Sequence, residues 1–488
     1  MHHNPPKEKQ IAHLAAVYTA MIAMIIVIVS FIVLFIMGYR FDTDKGEIEQ
    51  YGLLQFSSNP SGATVKVDGN TVSSSTPNKK SIKAGTHEVV MWRDGYESWS
   101  KTVSIKSGTL VWLNYALLVP KQLSVESISN FETIAASVSS PKGHYMLIQS
   151  KSDVASFDLA DISSDTVKTT KITLPTNIYT DATTAGVVHN FQITKWDDGE
   201  KYVLIKHSYA DKFEWIVMDT SDVASSKNIT KISNLAISDI AFFGTNGRTY
   251  YALSNAELHK IDLSSSVASK ALVGGVTKFD VYNKSNIITY IATDTVDTTK
   301  TILGVYRDGD SRSYAVKTLV NNTLPISIAT VHYFNLDYVA ISEGSKVSIL
   351  GGSYPSVDRD SSTSLKEIKT LTLDQNIDKL SFSPIGQYLL MQSGKNFASY
   401  DLEYQNLSKS QISATSEVAN IKWINDNYIW SDADGKLTIR EFDGLNSHTI
   451  NTVTVGQDVV LTHNGRFIYS INQNTTGYQL QRVRMILP

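Results

Sequence analysis

An all-β chain hung from one N-terminal transmembrane helix is the fold the sequence predicts, with a small β-sandwich near the membrane followed by a β-propeller of eight blades. Three observations lead there. Residues 14–37 form a charge-free apolar run with no counterpart elsewhere in the 488 residues. Residues 52–120 read as short alternating strands cut by turn residues. From residue 121 onward a unit of strand, turn, strand and strand recurs at intervals of roughly 40 to 55 residues, the spacing of propeller blades.

The apolar run comes first. At ~1.5 Å rise per residue it is ~36 Å long as a helix, enough to cross a hydrocarbon layer of ~30 Å with some tilt. Only Tyr18, Thr19 and Ser30 interrupt its apolar surface, so it lacks the polar stripe of a helix packed on a soluble core. Ile36, Met37, Gly38, Tyr39 and Arg40, which close the run, do not offer the small-x-small pattern of a signal-peptidase site. The segment therefore reads as an uncleaved signal anchor, with residues 1–13 as a cytoplasmic tail and 38–51 as a juxtamembrane segment.

Orientation is weighed from the flanks. Lys7 and Lys9 stand against Glu8 on one side, and Arg40 and Lys45 among Asp42, Asp44, Glu47 and Glu49 on the other, so the Lys/Arg counts nearly tie. The absence of cysteine from all 488 residues fits an exported protein, though also the cytosol. The expectation is a single-pass protein of the cell membrane, N-terminus inside and bulk outside, with Tyr39 and Phe41 in the outer headgroup belt. A net charge of −3, with 19 % charged residues and no Lys/Arg cluster, argues against a nucleic-acid partner.

In the membrane-proximal module, Leu53 to Phe56 reads as a strand, and Asp68 and Gly69 before Asn70 as a tight hairpin turn. His87 to Trp92 reads as another strand, closed by Asp94, Gly95 and Tyr96 and followed by Trp99 to Ile105. These residues resemble the PEGA domain, whose Pro-Glu-Gly-Ala turn is present as Pro60, Ser61, Gly62 and Ala63, with Ser61 in place of Glu. Val65, Val67, Asp68 and Gly69, then Thr76 and Pro77, then Ala84, Gly85, Thr86 and His87, then Gly95 and Tyr96 follow in that family's order and approximate spacing. The resemblance implies a small β-sandwich of surface-exposed or membrane-anchored bacterial and archaeal proteins, and no catalytic residues. Tyr96 and Trp99 suit a core pair more than a carbohydrate-stacking pair, and His87 a structural role more than a ligating one.

The propeller pattern is clearest where Ser140, Pro141, Gly143 and Tyr145 recur as Ser383, Pro384, Gly386 and Tyr388. This turn looks like that of TolB-like and WD-repeat propellers, where it joins the two inner strands of a blade. After Tyr469 one strand remains, from Tyr478 to Leu487. Residues 122–128 are placed to supply the strand missing from the last blade.

Chemical motifs are scarce. The nucleophile elbow Gly-x-Ser-x-Gly, the zinc motif His-Glu-x-x-His, the phosphate loop and the dinucleotide fingerprint do not occur. Asp432, Asp434 and Gly435 with Glu441 echo a calcium loop, but Trp430 would occupy its first ligand position, so a hairpin turn is expected. His144, Asp197 and His463 fall near blade turns and could face a central funnel, but suit structural turn roles more. No catalytic, cofactor or metal residue is assigned. The expected function is non-catalytic: a membrane-anchored envelope protein whose propeller binds a protein or glycan. The alternative is an extracytoplasmic propeller hydrolase or lyase with a site assembled across blades. Clustered carboxylates or histidines in the funnel would favour the second.

Overall fold

A computed structural model describes residues 7–42, 47–181, 187–357, 364–415 and 420–488. The side chains of Lys7 to Lys9 and of residues 42–47, from which orientation was argued, lie outside the described residues. Two compact units, residues 1–122 with 486–488 and residues 123–485, are taken separately.

In the first unit the helix Lys7–Ile36 contains the apolar span Ile11–Ile36, all of it exposed. It does not run into a loose linker. Gly38 ends it in the left-handed region, and the strands Tyr39–Asp42 and Glu47–Asn59 follow at once as an antiparallel pair. Residues 38–51, expected as a juxtamembrane segment, are thus largely part of the domain sheet. Alternating Tyr51 to Phe56 extends the pattern backward through Glu49, whose carboxylate accepts an ion pair from Lys83 at 2.5 Å. Tyr51 donates its N–H to the Gly38 carbonyl (2.7 Å), Gly108 donates to the Tyr51 carbonyl (2.9 Å), and Ser107 Oγ donates to the Met37 carbonyl (2.6 Å).

Two four-stranded sheets build the sandwich. One joins Tyr39–Asp42, Glu47–Asn59, Asn78–Lys83 and Leu110–Leu117; the other joins Asn70–Ser73, Thr64–Val67, Gly85–Trp92 and Trp99–Ile105. Leu54, Phe56, Val65, Val89, Met91 and Trp99 fill the space between, as the inward members of alternating strands.

The second unit is a ring of antiparallel sheets. Eight occur among the described residues, spanning 136–173, 189–228, 237–274, 276–320, 326–372, 379–411 and 422–452, with the last made of residues 460–484 and Val125–Phe131. We call them blades one to eight. The first strands lie innermost: those of blades one and two, three and four, and five and six approach one another. Neighbouring blades share apolar clusters, such as Leu147, Phe157, Phe191 and Val203 between blades one and two. The ring closes because Val125–Phe131 pairs with Gly477–Arg484, Val125 opposite Val483 and Phe131 opposite Tyr478. The closing strand sits about three residues later than residues 122–128 suggested.

Candidate functional site

The PEGA-type motif residues come together as one turn assembly. Gly62 N donates to the Thr76 carbonyl (2.9 Å), Ala63 N to Thr76 Oγ1 (3.0 Å), and Ser58 Oγ to the Pro60 carbonyl (2.7 Å). Exposed Ser61 offers its carbonyl to Arg93 (2.8 Å), so the residue standing where the family has Glu keeps a backbone role. Asp68 and Gly69, both at positive φ, form the two-residue turn that pairs Val67 with Asn70. His87 bridges Asp68 (2.6 Å) and the Lys83 carbonyl (2.8 Å). Gly85 opens the strand that carries it. Gly95 accepts from Lys121 N (2.9 Å), and buried Tyr96 accepts from Leu487 N at its hydroxyl (2.7 Å). Every one of these contacts holds the sandwich together.

The residues nominated near the funnel are also engaged. His144 Nδ1 lies 2.6 Å from Glu200 Oε2, and the rings of His144 and His463 are 5.0 Å apart. Glu200 also accepts from Ser140 Oγ and Lys142 N, each at 2.6 Å. Asp197 is buried and accepts three N–H groups of its own turn, from Gly199, Lys201 and Tyr202. Asp432 accepts from Asn420 and Gly456 N, Asp434 from Thr415, and Glu441 from Tyr428 and Asn446. The calcium-like string is a hairpin turn between Tyr428–Ser431 and Lys436–Glu441. Among the described residues no group of three or more carboxylates and histidines is placed to hold a metal ion.

Sequence reasoning expected a central funnel but missed the charged residues that the first strands expose. In blades two, three and four the first strand carries a bulge at Thr194, Ser238 and Thr277. Each bulged hydroxyl donates across to the second strand, to the carbonyls of Leu204 (2.9 Å), Leu253 (3.1 Å) and Ile291 (3.1 Å). A bulge re-aims the chain locally. The residue after each is charged and exposed: Lys195, Asp239 and Lys278. Blades six and seven add Lys379 and Lys422, also exposed on first strands. Crowding by the surrounding ring, with a smaller push from Asp280, raises the Asp239 carboxyl above its usual range even though Lys206 and Lys195 oppose it. Lys422 reaches Asp458 Oδ1 at 3.5 Å, while Asp458 Oδ2 accepts from Ser139 N and Oγ. A signal was available: a lysine precedes the tryptophan in both Lys195-Trp196 and Lys422-Trp423, at the end of two first strands.

A second missed feature lies in blade two. Glu214 and His207 are buried, and His207 Nδ1 sits 2.9 Å from Glu214 Oε1; His207 Nε2 sits 2.9 Å from His189 Nδ1. Thr180 donates to Glu214 through N (2.6 Å) and Oγ1 (2.8 Å). Burial raises the Glu214 carboxyl, but hydrogen bonds from His207 and Thr180 outweigh it and bring its pKa down to about 2. Where His207 Nδ1 donates to Glu214, its Nε2 is left to accept from His189 Nδ1, and His189 Nε2 lies 3.9 Å from Asp181. Tyr179, Phe191 and Tyr209 pack around the two rings. Registering the hairpins would have shown it, because His207 is the ladder partner of both Phe191 and Glu214.

Residues 51–119 match the family described as PEGA domain. No curated protein matches the chain in sequence. Similar solved structures include the Cps50 (Swd1) β-propeller domain of Myceliophteria thermophila, at 11 % identity over 75 % of this chain and 100 % of that one, TM-score 0.38. Oligogalacturonate lyase from Vibrio parahaemolyticus is similar at 10 % identity over 74 % of this chain and 98 % of that one, TM-score 0.39. Kluyveromyces lactis Hsv2 is similar at 12 % identity over 73 % and 100 %, TM-score 0.38. Sheet order and ring closure, rather than these likenesses, establish the propeller.

Proposed function

We propose that this chain is a single-pass envelope protein whose propeller lies outside the cytoplasm and binds a protein or glycan partner without transforming it. One observation carries the reading: His144, Glu200, His207, Glu214 and Asp432 are engaged in ties within and between blades, whereas the first strands of blades four, six and seven each expose a lysine, accompanied in blade four by Asp280. Groups locked in such ties hold the ring's shape. Lysines on an open channel retain a ligand by charge. The exposed apolar helix, tied through Ser107 and Gly108 to a PEGA-type module, supports anchorage.

Protease added to intact cells or spheroplasts should digest the propeller. Protection there, with digestion only after lysis, reverses the topology. Full-length protein solubilised in detergent should retain the same partner through repeated purification.

A second reading, hydrolase or lyase, is favoured by the Glu214–His207–His189 chain, a carboxylate and two imidazoles in series that orient the His189 ring with Nε2 toward Asp181. Turnover of any glycan or peptide by the full-length protein, lost in His189→Gln, would replace the binding reading.

A further inference from the structure

Outside the helix, the exposed large apolar side chains among the described residues of the first unit are Phe41, Ile48, Leu110 and Trp112, at 64, 67, 36 and 39 % exposure. All four stand on the sheet that follows the helix, and the opposite sheet of the sandwich has none. Phe41 and Ile48 are cross-strand partners on the first hairpin. Leu110 pairs with Leu53 and Trp112 with Gln55; paired residues share a face, and the alternate residues Leu54 and Phe56 fill the core, so Leu110 and Trp112 point away from the interior. Apolar groups gathered on one side of a small domain mark a surface made for an apolar or interfacial neighbour.

The end of the helix fixes the depth of that surface. Phe35 and Ile36 line one cleft of about 210 Å³ with Tyr51, Leu53 and Leu110. Ser107, bonded to the Met37 carbonyl, holds the same corner, and the Arg40 guanidinium folds back to 5.1 Å from the centre of the Phe35 ring. With the span crossing the bilayer, its last turn marks the boundary between acyl chains and headgroups, and Leu110 lies at the same level. Trp112 is two residues further on, ~6.6 Å along the strand, which is no more than the ~5–7 Å thickness of one interfacial layer. Gly38 alone separates the hairpin from the end of the helix at Met37, so no free linker lifts the sandwich off the surface.

We propose that this sheet seats on the lipid headgroup layer of the leaflet in which the helix ends, with Phe41, Ile48, Leu110 and Trp112 turned into that layer. The proposal rests on the anchorage argued above and adds a second, peripheral contact to it. Tryptophan and phenylalanine are favoured at that depth, where an indole keeps its ring in the apolar zone and its N–H in the wet one. Arg40 brings a cation to the level of the lipid phosphates, while Glu49, its cross-strand partner, is taken by Lys83. A protein occupant of this face would have to insert between the sheet and a bilayer that already adjoins it.

The chain has no cysteine, so one introduced cysteine carries a nitroxide label at a single known position. Full-length protein bearing Trp112→Cys, Ile48→Cys, Thr102→Cys or Ala23→Cys is reconstituted into vesicles of phosphatidylcholine and phosphatidylglycerol, and relaxation of each label by a water-soluble nickel chelate and by oxygen is measured. Thr102 is exposed on the opposite sheet, and Ala23 lies in mid-span. Nickel should reach positions 112 and 48 severalfold less than position 102, and oxygen should reach them more. Equal nickel access at 112, 48 and 102, with position 23 shielded by lipid, overturns the seating and leaves the anchor standing. Nickel access at 23 as well overturns both. Spectra at 112 broadened by a neighbouring label show a second copy covering the face, and likewise overturn the proposal. Both sheet variants should melt with the parent in detergent, as exposed positions allow, and if one melts lower the other decides.

Discussion

Glu200 of blade two accepts a hydrogen bond from Ser140 Oγ of blade one at 2.6 Å, and thereby links the turns of two adjacent blades. Burial works to raise this carboxyl, but the bonds from Ser140, His144 and Lys142 prevail and hold it below the usual carboxylate range. A depressed folded-state pKa gives stability that is complete above the unfolded value and is lost as pH falls through the folded one. Glu200→Ala should therefore cost about 1.5–3 kcal/mol at neutral pH and weaken the acid-side loss of stability, measured by denaturant unfolding across a pH series. A variant as stable as the parent at pH 7 would show that the tie contributes nothing.

Glu214 makes a sharper pH prediction. With its pKa lowered from 4.5 to about 2, its contribution is whole above pH 4.5 and disappears as pH falls toward 2. That displacement corresponds to roughly 3 kcal/mol. Glu214→Gln should lower stability at pH 7 by an amount of that order and flatten the acid limb between those values. An acid limb with the parent's slope would mean that Glu214 is not held ionised by His207 and Thr180.

Ring closure can be tested against its own salt bridge. Arg482 contacts both carboxylate oxygens of Glu126, at 2.8 and 3.1 Å, but Glu126 is half exposed, so Glu126→Ala should cost no more than about 1 kcal/mol. Deleting residues 125–131 removes the whole ladder and leaves Gly477–Arg484 as a bare edge. Thermal unfolding of the deletion should be far lower and less cooperative. Equal melting of the two variants would place the closure's strength elsewhere.

At the membrane end, a methyl group on Gly38 would overlap the Tyr51 carbonyl, in a backbone conformation with φ of 84°. Gly38→Ala should cost about 1–3 kcal/mol locally and speed amide exchange at Tyr51 and Gly108. Unchanged exchange at both amides would show that the helix end and the sheet are not coupled there.

Local signals made most of the fold legible. The apolar run, the Asp68-Gly69 turn and the Ser-Pro-x-Gly-x-Tyr turns each dictate nearby backbone, and each is found where the residues imply it. Closure was readable because Tyr478 onward left a blade one strand short, although its register was off by about three residues; the exposed strand Val125–Phe131 has little alternation to fix it. The exposed charges of the first strands and the His207 pair were not readable. Lys278 and Lys379 are about a hundred residues apart, and His189 and Glu214 meet only through a hairpin register that a bulge at Thr194 shifts by one. Residues such as His144 and Asp197 attracted notice by type and position, yet their partners made them structural.

Glu126 and Arg482 stand 356 positions apart, and the strand bearing Arg482 leaves the ribosome after all the others in the ring. The first strand made must wait for the last. Throughout synthesis of the ring it carries an open seam, with the strand Val125–Phe131 unpartnered until residues 477–484 are made. Contacts of such long range are slow to form. A ribosome that stalls before residue 477 can release only an unsealed ring, whose free edges invite aggregation and proteolysis. The seam thus makes closure of the ring wait on residues 477–484, whatever the state of the other seven blades.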